Sequence, residues 1–177
     1  MKEQITVKKL VTLILCCLLL SSCAIGTRDK PLVPQSVPNN DSEHATVVFY
    51  VSDGIAGAIK RLGRDFIAVV DETEFKQDYP ISKMLIANRK GHSVTKLSPG
   101  IHTFWLNSFG IETADLKAGA TYYLSVRFMF GGGYYLRFTD KSNFLEEAGG
   151  TVEIRLTKGF DRSNFDGGYE YEEVRPQ

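Results

Sequence analysis

The chain has 177 residues, and its 21 basic and 21 acidic side chains cancel to a net charge of zero. This balance excludes the strongly basic surface that nucleic-acid binding requires. The length fits a single domain of ordinary size, and the sequence assigns no oligomeric state.

The amino terminus has the layout of a secretory signal peptide. Lys2, Lys8 and Lys9 precede a predominantly apolar stretch from Leu10 to Leu20, which is followed by small residues. This stretch has only 11 residues, whereas a helix needs roughly 20 apolar residues to cross a membrane. We therefore predict that residues 1–22 are a signal peptide that is removed.

Residues 18–23 read LLLSSC, which resembles the bacterial lipobox. The resemblance implies that the Cys23 thiolate accepts diacylglycerol, that the chain is cut between Ser22 and Cys23, and that a fatty acid such as palmitate then acylates the new amino group. The alternative is an ordinary secretory signal whose apolar region contains cysteines, as Cys16 and Cys17 do.

Two or three acyl chains, at about 0.8 kcal/mol per buried methylene, are sufficient for stable membrane anchoring. Ala24 follows the cysteine, and the absence of an aspartate there resembles the pattern sorted to the outer membrane. We predict a lipid anchor in the bacterial outer membrane, with the domain facing the periplasm.

The chain contains three cysteines, Cys16, Cys17 and Cys23. If the first two leave with the signal peptide and the third is lipidated, the mature domain has no disulfide and depends on core burial for stability. The predicted signal peptide carries three lysines and one glutamate, a net charge of +2, which leaves a net charge of −2 on the 155 residues that follow.

Residues 23–44 are polar and spaced by Pro31, Pro34 and Pro38. This composition predicts a lipidated, flexible linker that holds the domain away from the lipid surface.

Residues 45–156 have the composition of a β domain, because short runs of β-branched and aromatic residues alternate with turn residues. We predict a mainly β fold, an antiparallel β-sandwich of the immunoglobulin or transthyretin type, with at most one short helix around Asn143–Ala148. The sequence leaves Gly54–Arg64 open between loop and helix. The nine predicted strands are Thr46–Val51, Phe66–Val70, Met84–Ala87, Ser93–Leu97, His102–Leu106, Glu112–Leu116, Thr121–Phe128, Tyr134–Thr139 and Val152–Leu156.

Four segments of this domain resemble a family of short bacterial lipoproteins that share a domain of unknown function (number 2846). The segments read ATVVFYV at 45–51, FIAVVDE at 66–72, LSPGIHTFWL at 97–106 and LKAGATYYLSVRF at 116–128. Glu72 departs from the family pattern, which commonly has glycine there. The resemblance implies a compact β-sandwich and transfers no catalytic residue.

No pattern in the chain indicates catalysis or a cofactor. His44, His92 and His102 lack the spacing of a metal site, and no GxSxG motif is present. The acidic clusters fall in predicted loops or in the tail. Gly131–Gly133 lacks the lysine and the helix of a phosphate-binding loop. We predict that the protein is not an enzyme and holds neither cofactor nor metal.

Aromatic residues are dense between Tyr122 and Phe138. Strand alternation sends some of these side chains into the core and leaves others for a binding surface. The candidates for a partner-binding surface are Phe130, Tyr134, Tyr135 and Trp105.

Residues 157–177 are rich in charged residues and glycine, which predicts a disordered tail. Its spaced aromatic residues leave two alternatives open, docking on a partner or pairing with an edge strand of the same domain. For the whole chain we predict a lipid-anchored, non-catalytic interaction or accessory module of the cell envelope. The alternatives are a lipoprotein that binds a small ligand or glycan and, less favoured by the residues, an envelope hydrolase.

Overall fold

The computed structural model describes residues 31–52, 65–72, 79–106, 110–129, 133–159 and 169–175. The predictions for the signal peptide, for Ser22 and Cys23, for Phe130 and for Gly54–Arg64 lie outside the described residues.

The described chain is built mainly of strands that lie close to the predicted ones. A 3-10 turn spans Ile81–Lys83, and one α-helix, α1, spans Lys141–Ala148. The strands are β1 Val37–Pro38, β2 Ala45–Val51, β3 Phe66–Val70, β4 Met84–Ala87, β5 Gly91–Leu97, β6 Gly100–Leu106, β7 Gly110–Leu116, β8 Ala120–Met129, β9 Gly133–Thr139, β10 Val152–Lys158 and β11 Glu170–Glu173.

The strands form two sheets, which confirms the predicted mainly β sandwich with one short helix. The smaller sheet has the order β4-β3-β6-β7, and the larger has the order β1-β8-β2-β5-β10-β11, with β9 also paired to β8. Most pairings are antiparallel, but β2 is parallel to β8 and β5 is parallel to β10. These two pairings join strands far apart in the chain, so the local turn signals did not predict them.

The central strand β2 shows why its residues form a continuous apolar run. Val47 and Phe49 point into the main core, while Val48 and Tyr50 point to the opposite face of the sheet and are also buried. A strand covered on both faces has no need of the alternating polar residues of a half-exposed strand. Between the sheets, β2 packs with side chains from the other sheet and from β8, including Phe104 and Leu124.

A second cluster covers part of the outer face of the smaller sheet. Ile154 and Leu156 of β10 pack there against Trp105, Ile86 and other apolar residues. Trp105 is only 7% exposed. Its place in the predicted partner surface is therefore wrong, because the β10–β11 ribbon covers the face of β6 from which it projects.

Helix α1 covers the outer face of β2 and β8. Asp140 caps the helix by accepting a hydrogen bond from the Asn143 amide at 2.8 Å. Phe144 then stacks on Tyr123 and meets the Tyr50 ring edge-on, with both centroid distances 5.2 Å. The helix thereby buries the apolar side chains of β2 and β8 that point away from the main core.

The predicted flexible linker is wrong for its described second half, because residues 32–39 are attached to both sheets. Leu32 pairs in parallel with Ala114 of β7, Val37 and Pro38 form β1 against β8, and the Asn39 amide donates to the Gly119 carbonyl at 2.8 Å. Residues 32–39, hereafter the strap, thus cross the open side of the sandwich. Leu32 also packs against the main core, which favours attachment over free motion.

The predicted disordered tail is wrong for Glu170–Glu173, which pair antiparallel with β10. The pairing satisfies the backbone of β10, and Tyr169 anchors it by donating a hydrogen bond to Asp65 at 2.7 Å. Of the two alternatives for the tail, docking on a partner or pairing with an edge strand of the same domain, these four residues adopt the second. Residues 160–168 of the tail lie outside the described ranges.

We expect Ser93→Ala to raise the free energy of unfolding. Ser93 faces Phe49 across the β2–β5 pair and is 6% exposed, and in the described part of the chain its buried Oγ has no hydrogen-bond partner. Because an unsatisfied buried polar group costs about 1–3 kcal/mol, removal of the hydroxyl should stabilise the fold by about 1 kcal/mol in urea denaturation. Ser98→Ala, at an exposed position, is the matched control and should change stability little. Destabilisation by Ser93→Ala alone would contradict this account of the core.

Candidate functional site

The candidate site is an open groove of about 530 Å³ at the side of the sandwich where β7, β9 and the strap meet. Its volume lies in the range of small-molecule sites. The lining residues come from the strap (Leu32, Pro34, Gln35), from β7 (Glu112) and from β9 (Tyr135, Arg137, Phe138, Thr139).

The edges of the two sheets approach each other closely at Gly110, the first residue of β7. A Cβ atom at this position would lie 3.0 Å from the Leu136 nitrogen and 3.1 Å from the Tyr135 Cα. Both atoms belong to backbone, which cannot rotate away as a side chain can. Glycine at 110 therefore permits the close approach of β7 to β9, the two strands that line the groove.

The strap closes another side of the groove through backbone pairing. The Leu32 amide donates to the Thr113 carbonyl at 2.8 Å, and the Asp115 amide donates to the Leu32 carbonyl at 2.9 Å. Pro34 and Gln35 follow before the chain reaches β8, so they span the gap between the sheets and form a wall of the groove.

The opposite wall is β9, which in the described part of the chain pairs only with β8. Ser125 Oγ donates to the Arg137 carbonyl at 3.1 Å, which shows that the Arg137 backbone faces β8. Because successive residues of a strand direct their backbone groups to opposite sides, the Phe138 amide and carbonyl face away from β8. Phe138 lines the groove, so this wall includes an edge of hydrogen-bonding backbone.

The side chains of the groove combine both charges with a phenol and an amide. Arg137 is exposed, and Glu112, Tyr135 and Gln35 are half-buried or exposed around it. A guanidinium supplies only donors, a carboxylate supplies only acceptors, and the amide supplies both. This arrangement can bind a polar, extended molecule, but it contains no nucleophile activated by a neighbouring base.

A network of hydrogen bonds behind the groove fixes the position of Thr139. The Tyr50 hydroxyl lies 2.9 Å from Thr139 Oγ1 and donates to Glu147 Oε2 at 3.1 Å. Glu147 also forms an ion pair with Arg127 at 3.2 Å, and both side chains are largely buried. The network joins α1 to β2, β8 and β9, so one wall of the groove is held before any ligand binds.

Burial governs the ionisation of Tyr50 in this network. Desolvation raises the pKa of Tyr50 to about 12, and the neighbouring Glu147 carboxylate adds to the effect by opposing a second negative charge.

The three histidines lie in separate places and have structural partners. His102 Nδ1 is 2.9 Å from Asp71 Oδ2, and its Nε2 is 2.7 Å from the Ser98 carbonyl oxygen. Burial lowers the pKa of His92, whose Nδ1 lies 2.8 Å from Thr151 Oγ1. His44 contacts Asp41, whose pKa is lowered chiefly by Lys96 and also by the amide of Glu43. In the ranges that the structure describes, no three His, Cys, Asp or Glu side chains are grouped to hold a metal ion.

The four residues of the predicted partner surface have different positions. Tyr135 lines the groove, while Tyr134 is half-buried and packs edge-on against Phe66 at a centroid distance of 4.8 Å. Trp105 is buried under β10 as described above, and Phe130 lies outside the described residues. The prediction missed Arg137, although alternation along β9 places it on the same face as Tyr135. It also missed Gln35 and Glu112, because no local signal brings the strap and β7 beside β9.

Comparison of the chain with models of known families, with curated proteins and with solved structures finds no match. The resemblance to the lipoprotein family with the domain of unknown function therefore stays a prediction. Among the described residues, no helix is long and apolar enough to cross a membrane.

We expect Tyr50→Phe to reduce the loss of stability at alkaline pH. The folded pKa of about 12 exceeds the ordinary value of 10.0. The stability that the neutral phenol contributes is therefore complete below pH 10.0 and is lost as the pH rises toward 12, because the unfolded chain releases the proton more readily. Stability measured in urea from pH 9 to 12 should fall less steeply for Tyr50→Phe than for the unchanged chain. At neutral pH the free energy of unfolding of the variant should be lower by about 1–2 kcal/mol, because the hydrogen bonds of the hydroxyl are lost. Parallel pH curves would show that Tyr50 ionises as freely in the fold as in water.

Proposed function

We propose that this protein is a lipid-anchored accessory protein of the bacterial envelope, whose β-sandwich binds another envelope protein without catalysis. Lipid on Cys23 anchors the chain, and the groove between β7 and β9 receives an extended segment of the partner. The backbone of Phe138, which faces away from β8 beside the groove, is the observation that carries this proposal.

The anchor is supported by LLLSSC at residues 18–23 and by the short apolar stretch before it. An outer-membrane location is supported by Ala24, and we infer that the domain faces the periplasm.

The choice of an extended polypeptide is supported by the shape and chemistry of the groove. An added strand obtains affinity from main-chain hydrogen bonds and specificity from side-chain contacts on alternate sides. Phe138 supplies the main-chain groups, and Arg137 and Glu112 line the same groove with side chains of opposite charge. The network behind Thr139 holds this wall in place, which lowers the entropy cost of binding.

A second candidate function is the binding of a small ligand or glycan in the same groove. Tyr135 offers an aromatic ring, while Gln35, Glu112 and Arg137 offer the donors and acceptors that hydroxyl groups require. This function predicts that cell-wall fragments raise the melting temperature, whereas the preferred proposal predicts that they do not.

Cys23→Ala should abolish anchoring. Because the thiol accepts the lipid before the signal is cut, the variant should accumulate as an uncleaved precursor that incorporates no labelled palmitate in growing cells. Cys17→Ala is the matched control, since it removes a cysteine of the apolar stretch and should leave processing intact. Normal processing of Cys23→Ala would refute the lipoprotein proposal.

A photo-crosslinking amino acid at position 135 should capture one reproducible envelope protein in living cells. The same amino acid at position 145, which is 55% exposed and does not line the groove, is the control and should not capture it. Arg137→Ala should decrease the yield several-fold without changing the melting temperature, because the side chain is exposed. Equal capture from both positions, or an adduct unaffected by Arg137→Ala, would exclude the groove. Stabilisation by cell-wall fragments without a crosslinked protein would favour the second candidate.

A further inference from the structure

We propose that one face of the sandwich, the outer face of β6 and β7 with the adjoining residue Val33, rests on the lipid surface of the anchoring membrane. This inference rests on the proposed lipidation of Cys23, and it adds an orientation to the anchor.

Exposed aliphatic side chains are grouped on this face. Val33 is 80% exposed, Ile101 is 63% exposed and Ile111 is 45% exposed. Each would lose an unfavourable contact with water if an apolar medium covered it. Together they give this face three exposed aliphatic side chains, with Asp115 of β7 between Val33 and Ile101.

Strand register places the three side chains on the same side of the smaller sheet. Ile101 is opposite Asp115 in the β6–β7 pair, and Leu32 is opposite Ala114. Because Leu32 and Ala114 both pack against the main core, the next residues, Val33 and Asp115, point outward with Ile101. With neighbouring strands about 4.8 Å apart, the backbones at Val33 and Ile101 are separated by about 10 Å. Ile111 is opposite Trp105, further along the same face.

The remaining polar groups of this face are neutral in sum or paired. Thr103 Oγ1 and Thr113 Oγ1 lie 3.2 Å apart, and Lys117 forms an ion pair with Asp115. A face with this composition can approach the boundary of headgroups and acyl chains without burying an unpaired charge.

The length of chain before the strap identifies the occupant of this face as the membrane. Eight residues, 24–31, separate Cys23 from Leu32. They reach at most about 30 Å when extended and about 16 Å as a flexible coil, whereas a domain of this size is about 40 Å across. Because the strap attaches Leu32 to the free edge of β7, the short tether holds that edge, and the aliphatic face beside it, next to the lipid.

The opposite outer face makes a suitable control. Helix α1 packs on the larger sheet there, and Leu145 of α1 is 55% exposed. An environment-sensitive fluorophore can be attached at either place, because Cys16 and Cys17 leave with the signal and the Cys23 sulfur carries lipid in the proposed mature protein.

The experiment compares the lipidated variants Ile101→Cys, Val33→Cys and Leu145→Cys, each labelled with a nitrobenzoxadiazole fluorophore. They are reconstituted into vesicles of phosphatidylethanolamine and phosphatidylglycerol, and flotation of each protein with the vesicles is measured first. We expect the labels at 101 and 33 to emit at a shorter wavelength than the label at 145. A lipid carrying a spin label near its headgroup should quench them several-fold more than the label at 145.

If all three proteins float with the vesicles but their labels at 101, 33 and 145 are quenched equally, the proposed orientation is wrong and the anchor is unaffected. Proteins that do not float would overturn the anchor together with this inference. Flotation and quenching together therefore distinguish the two failures.

Discussion

Two backbone hydrogen bonds, from Leu32 to Thr113 and from Asp115 to Leu32, determine where the chain enters the sandwich. They attach the strap to the edge of the smaller sheet before β1 attaches it to the larger sheet. One consequence is a groove with a third wall, which β7 and β9 alone would not form. Another is a much shorter tether, since only the residues before Leu32 remain to separate the domain from the predicted lipid.

Burial replaces disulfides as the source of stability in the described domain. A sandwich ordinarily buries one face of each sheet, but here the outer faces are also covered in part. Helix α1 covers β2 and β8, and the β10–β11 ribbon covers Trp105 and its neighbours. The additional buried apolar area is what a cysteine-free domain of this size can use to offset its conformational entropy.

The parts of the sandwich that remain uncovered are the places where another molecule can bind. In the described part of the chain, the side between β7 and β9 and the adjoining aliphatic face are two accessible regions with different chemistry. The groove has fixed polar groups, because Thr139 is held by Tyr50, whereas the aliphatic face has exposed Ile101 and Val33. In the proposed arrangement the lipid occupies the second region, and the groove at its border stays open to a partner in the periplasm.

Much of the fold was predictable because strands carry local signals. The boundaries of β3 and β4 agree with those predicted, and the short helix was expected near Asn143. The residues that line the site were less predictable from the sequence. Alternation along β9 was sufficient to place Arg137 beside Tyr135, but the burial of Trp105 depends on β10, which is almost 50 residues further along the chain.

The sequence by itself determined the β class, the approximate strands, the absence of cysteine from the domain and the lipobox resemblance at Cys23, because each depends on composition or on neighbouring residues. Only the tertiary structure decided that the strap and the segment Glu170–Glu173 belong to the sandwich. Both segments are short, the strap is interrupted by Pro34 and Pro38, and Glu170–Glu173 is mostly glutamate, so their own residues favour a strand only weakly. They become strands because an edge of the sheet offers unpaired backbone groups, and that edge exists only when the distant strands have assembled.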